Sequence, residues 1–261
     1  PRLASVTTTP EGLTVNLTYN GNAEAPTGAG SYDVVATVDE ANYSGSARDT
    51  LVIGKATVLV TLADLAATYD GSVKTASVTT DPSGFDVSLT YDGSTAAPTN
   101  AGSYVVAASV NDPNYEGSAS ETLIIAKAAA EVALGDLSQT YDGSAKVATA
   151  ATTPAGLGVA LSYNGADDAP VNAGTYEVTA TIDDLNYRGT AGGSLTIGKA
   201  EASIVLGDLT QTYDGSAKAA TATTTPGGLE VVWTYDGSST VPVDAGSYEV
   251  AAVVDDPNYV G

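Results

Sequence analysis

The chain repeats itself every 72 residues, and no other property narrows its fold as much. Tyr69, Tyr141 and Tyr213, each opening a Tyr-Asp-Gly-Ser motif, lie 72 residues apart. Tyr19, Tyr91, Tyr163 and Tyr235 precede Asn-Gly or Asp-Gly at the same interval. Tyr32, Tyr104, Tyr176 and Tyr248 follow Ala-Gly-Ser or Ala-Gly-Thr, and Tyr43, Tyr115, Tyr187 and Tyr259 sit in Asn-Tyr-x-Gly. These classes account for all 15 tyrosines. The lysines keep the same register: Lys55, Lys127 and Lys199 close a unit, while Lys74, Lys146 and Lys218 follow Tyr-Asp-Gly-Ser-x. No tyrosine or lysine is left over for a unique active site.

Cutting after the first lysine class divides the chain into 1–55, 56–127, 128–199 and 200–261. The middle two are full units. The first is expected to be a partial repeat lacking its first strand, and the last a repeat lacking its last strand. Ragged ends of this kind read as a window on a longer array.

Within a unit the apolar residues alternate with period 2, the signature of half-buried strands. Val15, Leu17 and Tyr19 alternate with Asn16 and Thr18, and Tyr32, Val34, Ala36 and Val38 alternate with Asp33, Val35 and Thr37. Further strands are expected over Val58 to Leu62, Val147 to Thr153 and Ser194 to Ile197, giving five to seven per unit. Asn20-Gly21, Asp92-Gly93, Asn164-Gly165 and Asp236-Gly237 supply residues that tolerate positive φ in tight turns. Pro82, Pro154 and Pro226 stop a strand by removing a ladder donor. No segment has helical periodicity with caps, so the expected class is all-β: tandem immunoglobulin-like β-sandwich repeats of 72 residues arranged as an elongated rod. The Ala-Lys-Ala and Gly-Lys-Ala junctions contain no Pro/Ser-rich spacer, which predicts abutting repeats, and four strand-length units span on the order of 100 Å.

Composition removes most chemistry. The absence of His and Cys excludes imidazole acid–base catalysis, thiolate nucleophiles, zinc–thiolate sites and disulfides. The formal charge of −22 repels phosphate backbones and anionic headgroups, so neither nucleic acid nor membrane insertion is expected. No run approaches the length of an apolar membrane span.

The chain resembles the MBG and YDG repeat domains, bacterial immunoglobulin-like modules found in tandem in large surface and secreted proteins. The carriers are Tyr141-Asp142-Gly143-Ser144 with Lys146, Ser162-Tyr163-Asn164-Gly165, Pro170 to Gly174 with Tyr176, Asn186-Tyr187-x-Gly189, and Leu195 to Lys199 with Ala200. The resemblance runs the whole chain. It implies export to the bacterial cell surface or medium and a role as adhesin stalk rather than catalyst, and it brings no catalytic, cofactor-binding or metal-binding residues.

Three candidate sites have two readings each. The acids before Asn-Tyr (Asp39-Glu40, Asn111-Asp112, Asp183-Asp184, Asp255-Asp256) are either solvated turns or oxygen ligands for Ca²⁺. The lysines are either stems lying along the sandwich edge with solvated heads or partners in isopeptide cross-links. The tyrosines are either core and corner packing or a sugar-stacking ladder for host or matrix glycans. The leading expectation is a non-enzymatic spacer whose partners are neighbouring repeats of the same array. The alternative is a self-assembling extracellular filament completed by strand exchange between chains.

Overall fold

The computed structural model describes every residue from Pro1 to Gly261 and consists of strands and turns without a helix. The chain divides into two compact units, Pro1–Lys127 and Ala128–Gly261.

In the first unit, residues 56–127 form a complete sandwich. Its larger sheet contains, in spatial order, Ala66–Thr68, Ser118–Ala126, Gly102–Val110 and Val87–Tyr91. Facing it is an antiparallel pair, Leu59–Ala63 with Ser77–Asp81. The two faces interlock because alternate residues point inward: Val60 and Leu62 from one sheet meet Val106, Ala108, Leu123 and Ile125 from the other. Leu123 and Val106 are fully buried, each contributing about 1.5–3 kcal/mol relative to exposure. The second unit builds the same sandwich from Ser138–Thr140, Thr190–Gly198, Gly174–Ile182 and Val159–Tyr163, faced by Glu131–Gly135 and Thr149–Thr153.

Every pairing of five or more residues is antiparallel, and the parallel pairings are all short. The short strand Ala66–Thr68 runs parallel to the closing strand, with Ile124 opposite Ala66 and Ala126 opposite Thr68. Ser138–Thr140 does the same against Thr196–Gly198. To reach this position the chain switches sheets at Asp64-Leu65 and Asp136-Leu137. Asp64 and Asp136 adopt φ of 56° and 55°, a left-handed conformation that aspartate tolerates better than most residues.

Several boundaries differ from the sequence expectation. The first long strand of the second repeat is Leu59–Ala63 and the closing strand of the third is Thr190–Gly198. The expected strand at Val147 begins only at Thr149, because Lys146 and Ala148 donate their N–H groups to the Pro170 carbonyl and the Tyr163 hydroxyl instead of to a ladder. The second repeat also has more strands than the expected five to seven, because the two-residue segments Ala56–Thr57 and Tyr115–Glu116 pair in parallel. The Asn-Gly and Asp-Gly sites do form tight turns: Asp92 and Gly93 have φ of 49° and 82°, and Tyr91 and Ser94 exchange both backbone hydrogen bonds across them. The turn does not join paired strands directly, since a loop follows before Gly102–Val110.

In the first repeat a three-stranded sheet, Val15–Tyr19, Gly30–Val38 and Ser46–Ile53, has no counterpart of Leu59–Ala63 above it. Its inner face therefore opens as a groove lined by Val6, Leu17, Val34, Ala36 and Leu51. In the fourth repeat no strand corresponds to Ser118–Ala126, and the neighbouring strand shrinks to Val250–Val254 because its first residues have no partner. Trp233 takes the inward position of Leu89 and Leu161 and is half-buried opposite Ala252.

Candidate functional site

The residues that recur in register converge on the joint between one repeat and the next. In the first unit the linker Lys55–Val58 lies against residues 112–116. Lys55 Nζ donates to the Asp112 carbonyl at 2.7 Å. The Ala56 N–H donates to the Asn114 carbonyl at 2.9 Å and the Val58 N–H to the Glu116 carbonyl at 2.8 Å. The Asn114 side chain then reaches back into the preceding repeat, where its Oδ1 accepts from the Ala29 N–H at 2.7 Å. One asparagine thus holds both the linker and the repeat before it.

The second unit repeats this joint. Lys199 Nζ donates to the Asp256 carbonyl at 2.7 Å, and the Ala200 and Ala202 N–H groups donate to the Asn258 and Val260 carbonyls. Asn258 Oδ1 accepts from the Ala173 N–H at 2.7 Å, and Asn258 Nδ2 donates to Asn172 Oδ1 at 3.2 Å. Tyr141 and Tyr259 meet edge to face across the joint, with ring centroids 5.3 Å apart at 83°.

The acids before Asn-Tyr aim the asparagine. Asp112 Oδ1 accepts from the Asn114 and Tyr115 N–H groups, Asp184 Oδ1 from those of Asn186 and Tyr187, and Asp256 Oδ1 from those of Asn258 and Tyr259. Such an Asx turn fixes the hairpin tip. In the first repeat Glu40 instead accepts from the Thr14 N–H, which holds its carboxyl below the usual range. No three acidic side chains gather into a group that could hold a metal ion.

The glycine of Asn-Tyr-x-Gly has a steric reason. A Cβ on Gly117 would lie 2.3 Å from the Val58 carbonyl oxygen, on Gly189 2.2 Å from that of Ala130, and on Gly261 2.4 Å from that of Ala202. The incoming chain packs directly on the glycine backbone, so a side chain there displaces it.

The Tyr-Asp-Gly-Ser-x-Lys motif closes on itself. Asp142 Oδ1 accepts from the Ser144 N–H and hydroxyl, and Oδ2 accepts from Lys146 Nζ at 2.5 Å. The Lys146 hydrogen bond first, then those from Ser144, hold the Asp142 carboxyl well below the ordinary carboxylate range, and Asp70 and Asp214 are shifted in the same direction by their own loops. Lys146 is buried, and Lys74 and Lys218 are half-buried, so the expected solvated head does not hold for the loop lysines, whereas Lys55, Lys127 and Lys199 are exposed. The loop ammonium groups are partnered within the loop, while Lys55 and Lys199 are partnered by the next repeat's backbone.

The tyrosines divide by hydroxyl. Tyr91 and Tyr163 lie in the core, where their oxygens accept from the Ala76 and Ala148 N–H groups at 3.0 and 2.9 Å. Tyr104 and Tyr176 donate their hydroxyls to the carbonyls four residues earlier, Asn100 and Asn172. Both arrangements are packing roles.

The joint's asparagine and glycine carry no reactivity and drew no expectation from the sequence. The signal available was their fixed place in all four copies while the residues just before Asn change: Asp-Glu-Ala at 39–41, Asn-Asp-Pro at 111–113 and Asp-Asp-Leu at 183–185.

The sandwich, the self-closed loops and the docked linkers define a tandem-repeat structural module. The MBG domain family model matches four consecutive copies, at residues 1–57, 58–129, 130–201 and 202–261, and the chain belongs to that family. Comparison with curated proteins gives no match.

Proposed function

We propose that this array is a non-enzymatic stalk of a bacterial surface or secreted adhesin-type protein, spacing a binding region away from its anchor. The observation that carries this reading is the use made of the recurring side chains. Asn114, Asn258, Lys55 and Lys199 seat one repeat on the next, and Gly117, Gly189 and Gly261 let the incoming chain pack on the hairpin tip. The Asp–Lys loops and the hydroxyls of Tyr91, Tyr163, Tyr104 and Tyr176 make their bonds within their own repeat. The charge of −22 keeps a long array soluble and self-repelling.

Small-angle X-ray scattering of the purified chain over a wide concentration range tests the proposal. The expected result is a maximum dimension on the order of 100 Å, set by strand-length repeats end to end, that does not change with concentration or added Ca²⁺. Lengthening with concentration would replace the spacer with the self-assembling filament, and a saturable glycan ligand for the isolated array would replace it with a binding module.

A further inference from the structure

We infer that each complete repeat is a mechanical clamp that resists tension along the chain by loading its end strands in shear. The inference rests on the stalk reading for the origin of the tension, but its geometry stands on its own.

Tension enters a repeat at its first residues and leaves at its last. In residues 130–198 the entering chain forms Glu131–Gly135 and then Ser138–Thr140, and the leaving chain is Thr190–Gly198. Ser138–Thr140 and Thr190–Gly198 are neighbours in one sheet and run parallel, with Ser138 opposite Thr196 and Thr140 opposite Gly198. Pulling the start of one strand backward and the end of the other forward slides them along their common axis. The bonds between them, Thr196 N–H to the Leu137 carbonyl and Tyr141 N–H to the Gly198 carbonyl, both at 2.9 Å, lie across that axis and are strained together rather than one after another.

The remaining entry contacts are loaded in the same way. Glu131–Gly135 is pulled lengthwise against Thr149–Thr153, five residues against five. The closing strand is pulled lengthwise against Gly174–Ile182, with which it pairs from Thr190 to Ile197. Fully buried Leu195 and buried Ile197 anchor it beneath the sheet. The repeat over 58–126 has the same parallel pair, with Ile124 N–H to the Leu65 carbonyl and Tyr69 N–H to the Ala126 carbonyl, each at 2.9 Å. No end strand lies where tension would peel it open one bond at a time.

The test compares two pulling directions by single-molecule force spectroscopy. The chain contains no cysteine, so introduced thiols are unique handles. Handles at the termini of the full chain load the clamps in shear. Handles at Ser144→Cys, four residues past the end of Ser138–Thr140, and at Gly198→Cys, the last residue of Thr190–Gly198, pull on the same end of the two parallel strands and unzip the pair. A Cβ at Gly198 meets only one atom, 3.8 Å away, so this handle fits. At equal loading rate, end-to-end pulling is expected to require a severalfold higher force per repeat, with each complete repeat releasing about 250 Å of chain. Thr196→Pro, which removes the donor to Leu137, is expected to lower the shear force in one repeat only. Equal forces in the two directions would overturn the clamp, and if Thr196→Pro fails to fold the comparison of directions still decides. Equal forces would leave the spacer reading standing, whereas concentration-dependent lengthening in solution would remove the spacer and leave the clamp.

Discussion

Gly189→Ala isolates the contribution of the joint between an incoming strand and the Asn-Tyr-x-Gly segment. The new Cβ would lie 2.2 Å from the Ala130 carbonyl oxygen and 2.9 Å from Ile182 Cδ1. The backbone of Gly189 lies outside the left-handed region, so alanine itself is unstrained there and the whole penalty comes from close approach. Relief requires Ala130 to move outward by about 1 Å, the gap to an ordinary contact. That movement stretches the bonds from the Ala128 and Ala130 N–H groups to the Asn186 and Arg188 carbonyls, now at 2.8 and 2.9 Å. Strain and two weakened hydrogen bonds together give a destabilisation of about 2–4 kcal/mol. Gly45 is the internal control. It occupies the same motif position in the first repeat, where a Cβ meets only Val38 Cγ2 at 3.5 Å, and Gly45→Ala is expected to change stability by less than about 0.5 kcal/mol. Urea denaturation followed by far-ultraviolet circular dichroism measures both. Amide exchange at Ala128 and Ala130 locates the effect, since their protection should fall in Gly189→Ala. Equal destabilisation by the two substitutions, or unchanged protection at Ala130, would refute the close-packing account.

The other predictions concern the hydroxyls, the asparagine and the acidic loop. Tyr163→Phe leaves the buried Ala148 N–H without its acceptor and is expected to destabilise by about 1–3 kcal/mol, against about 0.5–1.5 kcal/mol for Tyr176→Phe, whose partner carbonyl is exposed to water. Parallel denaturation curves check the order. Asn258→Ala removes the acceptor of Ala173 N–H and is expected to accelerate exchange of that amide and broaden the distance between spin labels in the third and fourth repeats, while the core amides of both keep their protection. Asp142 has a folded-state pKa below its unfolded value, so its contribution is present in full above about pH 4 and is lost as the pH falls toward the folded value. The melting-temperature gap between wild type and Asp142→Asn is therefore expected to stay constant from pH 7 to about 4.5 and to narrow below it, a gap that widens on acidification being the contrary result.

The period, the all-β class and the inward residues were legible because they rest on local rules. Alternation placed Val34 and Ala36 inward, and Asn-Gly or Asp-Gly marked real turns with positive φ. What escaped depends on atoms far apart in sequence. Nothing near Asn114 announces that its side chain accepts from Ala29, 85 residues away. Gly117 looks like a turn residue until Val58 is seen packed on it. The switch between sheets at Asp64 and Asp136 has no local signal, because neither aspartate is followed by glycine and the bend is set by the strand that Leu65 and Leu137 go on to join. Lys146 read as a solvated stem because its partner, Asp142, also supplies a turn, and only the loop's closure shows both roles at once.

Comparing the copies shows which atom at each position performs the task. At 28, 100, 172 and 244 the residues are Gly, Asn, Asn and Asp, and in every copy the backbone carbonyl accepts the tyrosine hydroxyl. Since any residue has that carbonyl, the side chain is free to change. At 20, 92, 164 and 236 only Asn and Asp occur. There the side-chain Oδ1 accepts from the N–H of Asp33, Val105, Glu177 or Glu249 while the backbone holds φ near 50°, and few other residues meet both demands. At 70, 142 and 214 only Asp occurs, because the loop needs two acceptor oxygens and a charge to hold a lysine ammonium removed from water. The asparagine of Asn-Tyr is equally restricted: its Oδ1 and its own carbonyl face different segments, Ala29 and Ala56 in one joint and Ala173 and Ala200 in the other. Tolerance in this array thus follows from whether the backbone or the side chain makes the bond, and the least tolerant positions are those that hold the loops closed and the repeats together.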